Sequence, residues 1–272
     1  MTRQINKDTT LCMSLAARPS NFGTRFHNFL YDALDLDYIY KAFTTTDLAA
    51  AIGGVRALGV RGCAISMPFK EACIPMVDEL DPSAKAIDSV NTIVNTNGYL
   101  KAYNTDYIAI AKLLNEHQVP SDLVFALRGS GGMAKAVACA LKDAGFKNGY
   151  IVARNEAAGK QLAGLYGFNW APDMTAVQAD MLINVTPIGM AGGADAETLA
   201  FTELAIEQAQ VIFDVVALPA ETPLIRYART QGKKVITGAE VFAIQAVEQF
   251  VLYTGIRPSD EVFQQAAKHA RG

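Results

Sequence analysis

The 272-residue chain has little from which to build a metal centre, a disulfide frame or a membrane span. Its only histidines are His27, His117 and His269, too few and too scattered for a histidine-built site, so no metal is expected. The four cysteines (Cys12, Cys63, Cys73, Cys139) form no CxxC pair. That pattern suits buried free thiols in a reducing compartment better than disulfides or zinc. Lysine and arginine are not in excess: 24 stand against 27 acidic residues, a formal charge of −3. A surface that tracks nucleic-acid phosphates needs the opposite balance, so no nucleic-acid partner is expected. No apolar run approaches the ~20 residues of a membrane helix, and the opening MTRQINKDTT is polar, without a signal-peptide core. The expectation is a cytoplasmic protein with no membrane partner.

What is present is the mixture of an ordinary globular protein, 51% apolar and 19% charged, long enough for one large domain or two of usual size. Strand-like segments at 11–15, 37–43 and 62–66 alternate with helix-like segments at 21–34, 48–58 and 69–80. Residues 92–100 read as two short strands joined by Asn95-Thr96-Asn97-Gly98, in which Asn97-Gly98 is a turn signal. After a helix at 106–116 the rhythm restarts beyond Pro120: a strand at 123–127, a glycine cluster, and a helix at 133–144. Buried strands follow at 149–153, 181–185, 211–216 and 234–236, and helices at 241–253 and 260–269 close the chain. This alternation predicts an α/β fold with mainly parallel sheets, the restart marking a second domain.

The glycine cluster carries chemistry. Phe125-Ala126-Leu127-Arg128-Gly129-Ser130-Gly131-Gly132-Met133-Ala134 places small residues between a buried strand and a helix. There the backbone can approach a pyrophosphate, and the helix N-terminus offers unpaired N–H groups. Alanine at 134 matches the looser form of the dinucleotide fingerprint. An ordinary tight turn has the same glycine content, but the flanking strand and helix favour a dinucleotide. The next strand ends Tyr150-Ile151-Val152-Ala153-Arg154-Asn155. No acid stands there to bind the ribose 2′-hydroxyl of NAD, whereas Arg154 can pair with a 2′-phosphate and Asn155 can add a hydrogen bond. NADP is favoured; Glu156, one residue late, keeps NAD as the lesser reading.

Two further clusters stand out earlier in the chain: Ser66-Met67-Pro68-Phe69-Lys70, and Asn104-Thr105-Asp106, with Val90-Asn91-Thr92 between them. Oxidising a secondary alcohol requires a group to take the hydroxyl proton as hydride leaves, and the reverse requires a donor to the forming alkoxide. A lysine oriented by an aspartate can do both. Taken singly, Lys70 reads as a surface lysine and Asp106 as a helix cap, and spacing alone does not decide otherwise.

Taken together, the segments resemble the shikimate dehydrogenase family, most of all its shikimate dehydrogenase-like branch. Ser66 to Glu71, Val90-Asn91-Thr92, Tyr103 to Asp106, the loop from Gly129 to Met133, Asn184-Val185-Thr186-Pro187-Ile188-Gly189-Met190, Thr222-Pro223-Leu224 and Gln245-Ala246 occur in the family's order. The resemblance implies a substrate domain over 1–104 plus 238–272, with an inserted Rossmann NADP domain at 105–237. It implies that Lys70 and Asp106 are the catalytic pair. Ser66, Asn91, Asn104, Gln245 and Asn21 would bind substrate, assisted by Gln249. Gly129, Ser130, Gly131, Gly132 and Met133 would hold the pyrophosphate, and Arg154 with Asn155 the adenosine end. Thr186, Val215 and Gly238 would lie by the nicotinamide. The activity implied is NADP-dependent interconversion of 3-dehydroshikimate and shikimate, by a protein acting as monomer or homodimer.

Three departures from the family matter, two at the substrate and one at the nucleotide. The serine pair that grips its carboxylate in the family is represented here by Asn21-Phe22-Gly23-Thr24 before His27-Asn28, with Ser14 or Ser20 as substitutes. The tyrosine usual after the Asp214 strand is Ala217. The typical Asn-Arg-Thr at the adenosine end is Ala153-Arg154-Asn155. Each lost neutral hydrogen bond is worth roughly 1 kcal/mol. The alternatives are therefore a quinate- or aminoshikimate-type dehydrogenase, and a non-catalytic ligand-sensing relative. Retention of both Lys70 and Asp106 speaks against the sensor.

Overall fold

The computed structural model describes residues 4–271; residues 1–3 and Gly272, which the expected first domain includes, lie outside them. The chain forms two compact units, Met1–Thr105 with Ala243–Gly272, and Asp106–Phe242.

In the first unit, β1 (Thr10–Leu15), α1 (Phe22–Ala33), β2 (Tyr38–Phe43), α2 (Leu48–Ala57) and β3 (Gly62–Ile65) follow one another as the alternating pattern requires. After them come the short α3 (Phe69–Ala72), a 3-10 turn (Ile74–Met76), β4 (Glu79–Leu80), α4 (Pro82–Lys85), β5 (Thr92–Thr96) and β6 (Tyr99–Tyr103). The sheet order is β2-β1-β3-β5-β6-β4. Strands β2, β1 and β3 are mutually parallel, while β5 runs antiparallel to both β3 and β6.

Period-two alternation sends successive side chains of β1 to opposite faces. Cys12 joins a cluster with Phe26, Leu30 and Tyr31 of α1. Met13 and Leu15 join one with Ile52 and Val55 of α2. The buried residues of α1, Phe26, His27, Leu30 and Tyr31, form one stripe at helical spacing. His27 stacks on Tyr40 with ring centroids 4.4 Å apart, and burial pushes its pKa down to about 3, so the ring is neutral at physiological pH.

Helix α5 (Thr105–Glu116) carries the chain into the second unit. There β7 (Phe125–Arg128), α6 (Gly132–Asp143), β8 (Gly149–Val152), α7 (Glu156–Tyr166), β9 (Asn169–Ala171), β10 (Met181–Asn184), α8 (Glu203–Gln208), β11 (Val211–Asp214), α9 (Pro223–Thr230) and β12 (Lys234–Thr237) alternate. The sheet β12-β11-β10-β7-β8-β9 is parallel throughout. Its central strands Met181–Asn184 and Val211–Asp214 are buried at every residue, as befits a sheet covered on both faces. The strand order reverses between β7 and β10, the topological switch point at which doubly wound sheets bind ligands. This is a Rossmann-type sheet. Helix α10 (Gly238–Thr254), opened by a reciprocal Thr237–Glu240 capping box, returns the chain to the first unit, and α11 (Asp260–Arg271) ends it.

Two of the elements expected from the sequence are built differently. The helix expected over 69–80 stops at Ala72, because Pro75 offers no amide hydrogen to continue it; the remainder is the 3-10 turn and β4. The hairpin turns at Asn97-Gly98, both at positive φ, so its second strand lies further on, at Tyr99–Tyr103. No described helix is long and apolar enough to cross a membrane.

All four cysteines are buried and unbridged. Burial raises their thiol pKa values, to about 12 at Cys12 and about 11 at Cys73 and Cys139. The thiolate is the reactive form, so the native protein at pH 8 is expected to react with Ellman's reagent far more slowly than free cysteine. Four thiols should titrate after denaturation; rapid native titration of any of them would contradict this packing.

Candidate active site

In the first unit two of the residues expected to bind substrate, Gln245 and Gln249, hydrogen-bond Asn91, which precedes β5 and is 2% exposed. Its Oδ1 accepts from the Thr105 N–H at 2.8 Å, the Thr105 hydroxyl at 3.2 Å and the Thr92 hydroxyl at 2.9 Å. Its Nδ2 donates to Gln245 Oε1 at 3.3 Å. Its backbone oxygen accepts from the Ile65 N–H at 2.7 Å and from Gln249 Nε2 at 3.4 Å. Asn91, through its carboxamide and its backbone carbonyl, therefore links the end of β3, the start of β5, the first residue of α5 and one face of α10.

Lys70 is delivered to this cluster by the turn after β3. The Ser66 carbonyl accepts from the Phe69 N–H at 2.9 Å, opening α3, and the Lys70 carbonyl accepts from the Val90 N–H, one residue before Asn91, at 2.9 Å. Ser66 is exposed and Lys70 half-buried. Asp106 is 5% exposed in the first turn of α5, where the positive end of the helix dipole favours a carboxylate. It is the first residue of the second unit and the immediate chain neighbour of Thr105, which Asn91 holds.

Asn104 is buried behind the cluster. Its N–H donates to Ser83 Oγ at 3.1 Å and its Nδ2 to the Ser89 carbonyl at 3.0 Å, fixing the segment between α4 and β5. Asn21 is exposed at the residue before α1, and its side chain makes no capping hydrogen bond. A Cβ added at Gly23 would meet Tyr40 Cε1 and Oη at 3.3 Å. A serine there requires Tyr40 to give way by a few tenths of an ångström, which accounts for glycine at this position.

In the second unit the carboxyl ends of the strands carry the dinucleotide signals. Gly129 has φ +126°, and an added Cβ would lie 2.7 Å from Val185 Cγ2, so only glycine suits this turn. Gly131 is the N-cap of α6 and supplies no side-chain cap, while an added Cβ at Gly131 or Gly132 would meet nothing within 4 Å. Ser130 and Met133 flank this open rim. Bare backbone N–H groups at the mouth of a helix, with free space above them, fit a pyrophosphate.

Arg154 lies two residues beyond β8 and is exposed. Asn155 caps α7, its Oδ1 accepting from the Ala158 N–H at 3.1 Å. Glu156 pairs with Lys160 at 2.6 Å along the same helix.

At the tips of β10 and β11 a buried network includes Thr186. Asn184 Oδ1 accepts from the Thr186 hydroxyl at 2.6 Å and its N–H at 3.1 Å. Asn184 Nδ2 donates to Asp214 Oδ1 at 3.0 Å, and the Thr222 hydroxyl donates to Asp214 Oδ2 at 2.7 Å. The Val216 N–H also donates to Asp214, and the Val215 N–H to the Asn184 carbonyl. Gly238 packs against this backbone, where an added Cβ would stand 2.3 Å from the Val216 carbonyl oxygen.

These features belong to a family. A sequence model described as "Shikimate dehydrogenase substrate binding domain" matches residues 22–93. A shikimate dehydrogenase-like protein of Haemophilus influenzae is 60% identical over 267 residues, covering 98% of each chain. The shikimate dehydrogenase (NADP(+)) of Streptococcus uberis is 34% identical, covering 90% of this chain and 91% of its own. The chain belongs to the shikimate dehydrogenase family. The solved shikimate 5-dehydrogenase of Thermus thermophilus, in complex with NADP(H) and shikimate, superposes with a TM-score of 0.85 at 28% identity, covering 96% of this chain and 99% of that one. The α/β fold expected from the alternating pattern, with the Rossmann domain implied by the resemblance, is the fold of these relatives.

The sequence reading gave no role to Asp214, Thr222 or Arg128. An acid ending an apolar strand, followed by Thr222-Pro223 at a helix start, was the available signal for the first two. Burial pushes the Asp214 pKa up to about 6, against the pull of its three donors. A carboxyl group raised in the fold stabilises it fully below its unfolded pKa near 3.8, and that contribution disappears as pH rises through 6. Relative to Asp214→Asn, the unaltered protein is expected to gain roughly 1–3 kcal/mol of stability between pH 7 and pH 4. Denaturant titrations across that range check this; a difference independent of pH would place the Asp214 pKa near its ordinary value.

Proposed function

We propose that the protein is an NADP-dependent oxidoreductase that interconverts 3-dehydroshikimate and shikimate, or acts on a close hydroaromatic analogue. The observation that carries this reading is the joint retention, in one member of the family, of the proton-handling residues Lys70 and Asp106 and of an acid-free dinucleotide loop ending in Arg154. A sensing relative needs only to bind; it has no use for a lysine and an aspartate able to move a proton.

In this reading NADP, when bound, supplies the hydride acceptor or donor. The chain's own residues do the rest. In the reductive direction the Lys70 ammonium gives a proton to the oxygen that becomes the substrate hydroxyl; in the oxidative direction the same nitrogen takes it back, and the Asp106 carboxylate stabilises and orients the cationic form. Asn91, Gln245 and Ser66 hydrogen-bond ring hydroxyls, assisted by Gln249, with Asn104 supporting them from behind. Asn21 stands at the carboxylate end, where Gly23 and Ala217 supply no hydroxyl. Gly129, Ser130, Gly131, Gly132 and Met133 hold the pyrophosphate. Arg154, with Asn155 beside it, takes the 2′-phosphate, and Thr186, Val215 and Gly238 bound the nicotinamide side. Loss of hydroxyls at the carboxylate end weakens the grip on shikimate without touching the proton path, so the chemistry is more firmly assigned than the ring substituents.

The test is a steady-state assay of purified protein with NADP and NAD against shikimate, quinate and aminoshikimate. Turnover of at least one with NADP is expected, and Lys70→Ala should lower kcat by about 100-fold or more while KM changes little. Ligand binding without any turnover would replace the enzyme with a sensor. A Lys70→Ala variant with unchanged kcat would remove Lys70 from the mechanism.

A further inference from the structure

Arg128 is out of keeping with its strand. β7 is apolar and buried through Phe125, Ala126 and Leu127, then ends in an arginine immediately before the glycine loop. The side chain is half-buried: its guanidinium donates to the Ala200 carbonyl and lies 6.0 Å from the centre of the Phe201 ring. No carboxylate forms an ion pair with Arg128 or with Arg154 among the described residues, although burying part of a cation without a counter-charge is costly.

The strand register brings the two arginines together. Arg128 pairs with Val152 in the β7–β8 ladder, and the Gly129 N–H donates to the Val152 carbonyl at 2.9 Å. Arg154 follows two residues later. With neighbouring strands ~4.8 Å apart and ~3.3 Å of rise per residue, their Cα atoms lie about 8 Å from one another, within joint reach of a single phosphate. The guanidinium of Arg128 has five N–H donors, and a backbone carbonyl engages only part of them. Burial and the nearby Arg154 charge both hold its pKa below the usual arginine value, with Asp195 opposing them.

We propose that Arg128 is a second phosphate-binding residue, gripping with Arg154 the 2′-phosphomonoester of the nucleotide and so setting its preference for NADP over NAD. The inference rests on the assignment of a dinucleotide to the glycine loop and extends it by a residue outside the loop's fingerprint. It differs from a purely structural role, in which Arg128 only pins the 200–201 segment: such a clip would affect both nucleotides alike.

Isothermal titration of the full-length protein with NADP, NAD and 2′,5′-ADP separates these cases. Arg128→Met is expected to weaken NADP and 2′,5′-ADP by about tenfold or more, while NAD stays within about twofold. Arg128→Lys should recover part of the loss, since it keeps the charge but not the fork. The rise in melting temperature on adding NADP should be smaller for Arg128→Met than for the parent, while the rise on adding NAD should match. Unchanged NADP affinity in Arg128→Met, or an equal loss for NADP and NAD, overturns the assignment. If the parent discriminates, Arg154→Ala does not and Arg128→Met does, Arg154 acts alone and only this inference fails. If the parent itself binds NADP no better than NAD, the underlying choice of cofactor fails with it.

Discussion

The first unit depends on the side chain of Asn91. Its oxygen serves three donors and its nitrogen meets Gln245, so one buried carboxamide sets where β5 begins, where α5 begins and how α10 lies over the sheet. A buried polar network of this kind is costly when half-made and rigid when complete. The residues given catalytic and substrate-binding roles are placed relative to it: Lys70 through the Val90 hydrogen bond, Asp106 by adjacency to Thr105, Gln245 directly.

The second unit solves a different problem. Its strands β7, β10 and β11 are short and apolar, with polarity confined to their carboxyl tips: Arg128 on β7, Asn184 on β10, Asp214 on β11. The β11 end is a closed network in which Asp214 satisfies Asn184, Thr222 and Val216. The β7 and β8 tips are open, with two arginines, a helix N-terminus and space above Gly131 and Gly132. The carboxyl end of the sheet thus carries a finished polar network at β10 and β11 beside the open tips of β7 and β8, at the switch point where doubly wound sheets bind ligands.

Much of this was legible in the sequence, for identifiable reasons. β1 and β2 are mostly apolar runs between turn residues, β7, β10 and β11 are apolar up to their last residue, and the glycine loop is bounded by a strand and a helix. Pro75 was the available warning that a helix could not run from 69 to 80. Helix α7 escaped notice because Gly159 and Gly164 dilute its apolar stripe, and α9 because it is only Pro223–Thr230, although Thr222 caps it at Ile225. The polar role of Asn91 as a hub could not be read from spacing: its partners at 105 and 245 are distant in sequence and meet it only through the fold. Arg128 was hidden for the opposite reason, since it sits inside a recognised motif whose glycines draw the attention.

Two of the three departures from the family fall at one end of the proposed substrate, and the third at the adenosine end of the nucleotide. Gly23 yields to Tyr40, and Ala217 stands in place of a tyrosine, while the residues assigned to proton transfer and to the pyrophosphate are retained. The central claim is that a hydride passes between NADP and the carbon bearing a ring hydroxyl. The most direct measurement uses shikimate carrying deuterium on the carbon to be oxidised, with NADP and the purified protein, and weighs the nucleotide product by mass spectrometry. The account requires one deuterium in each reduced nucleotide formed; nucleotide that stays unreduced, or is reduced without the label, would contradict it.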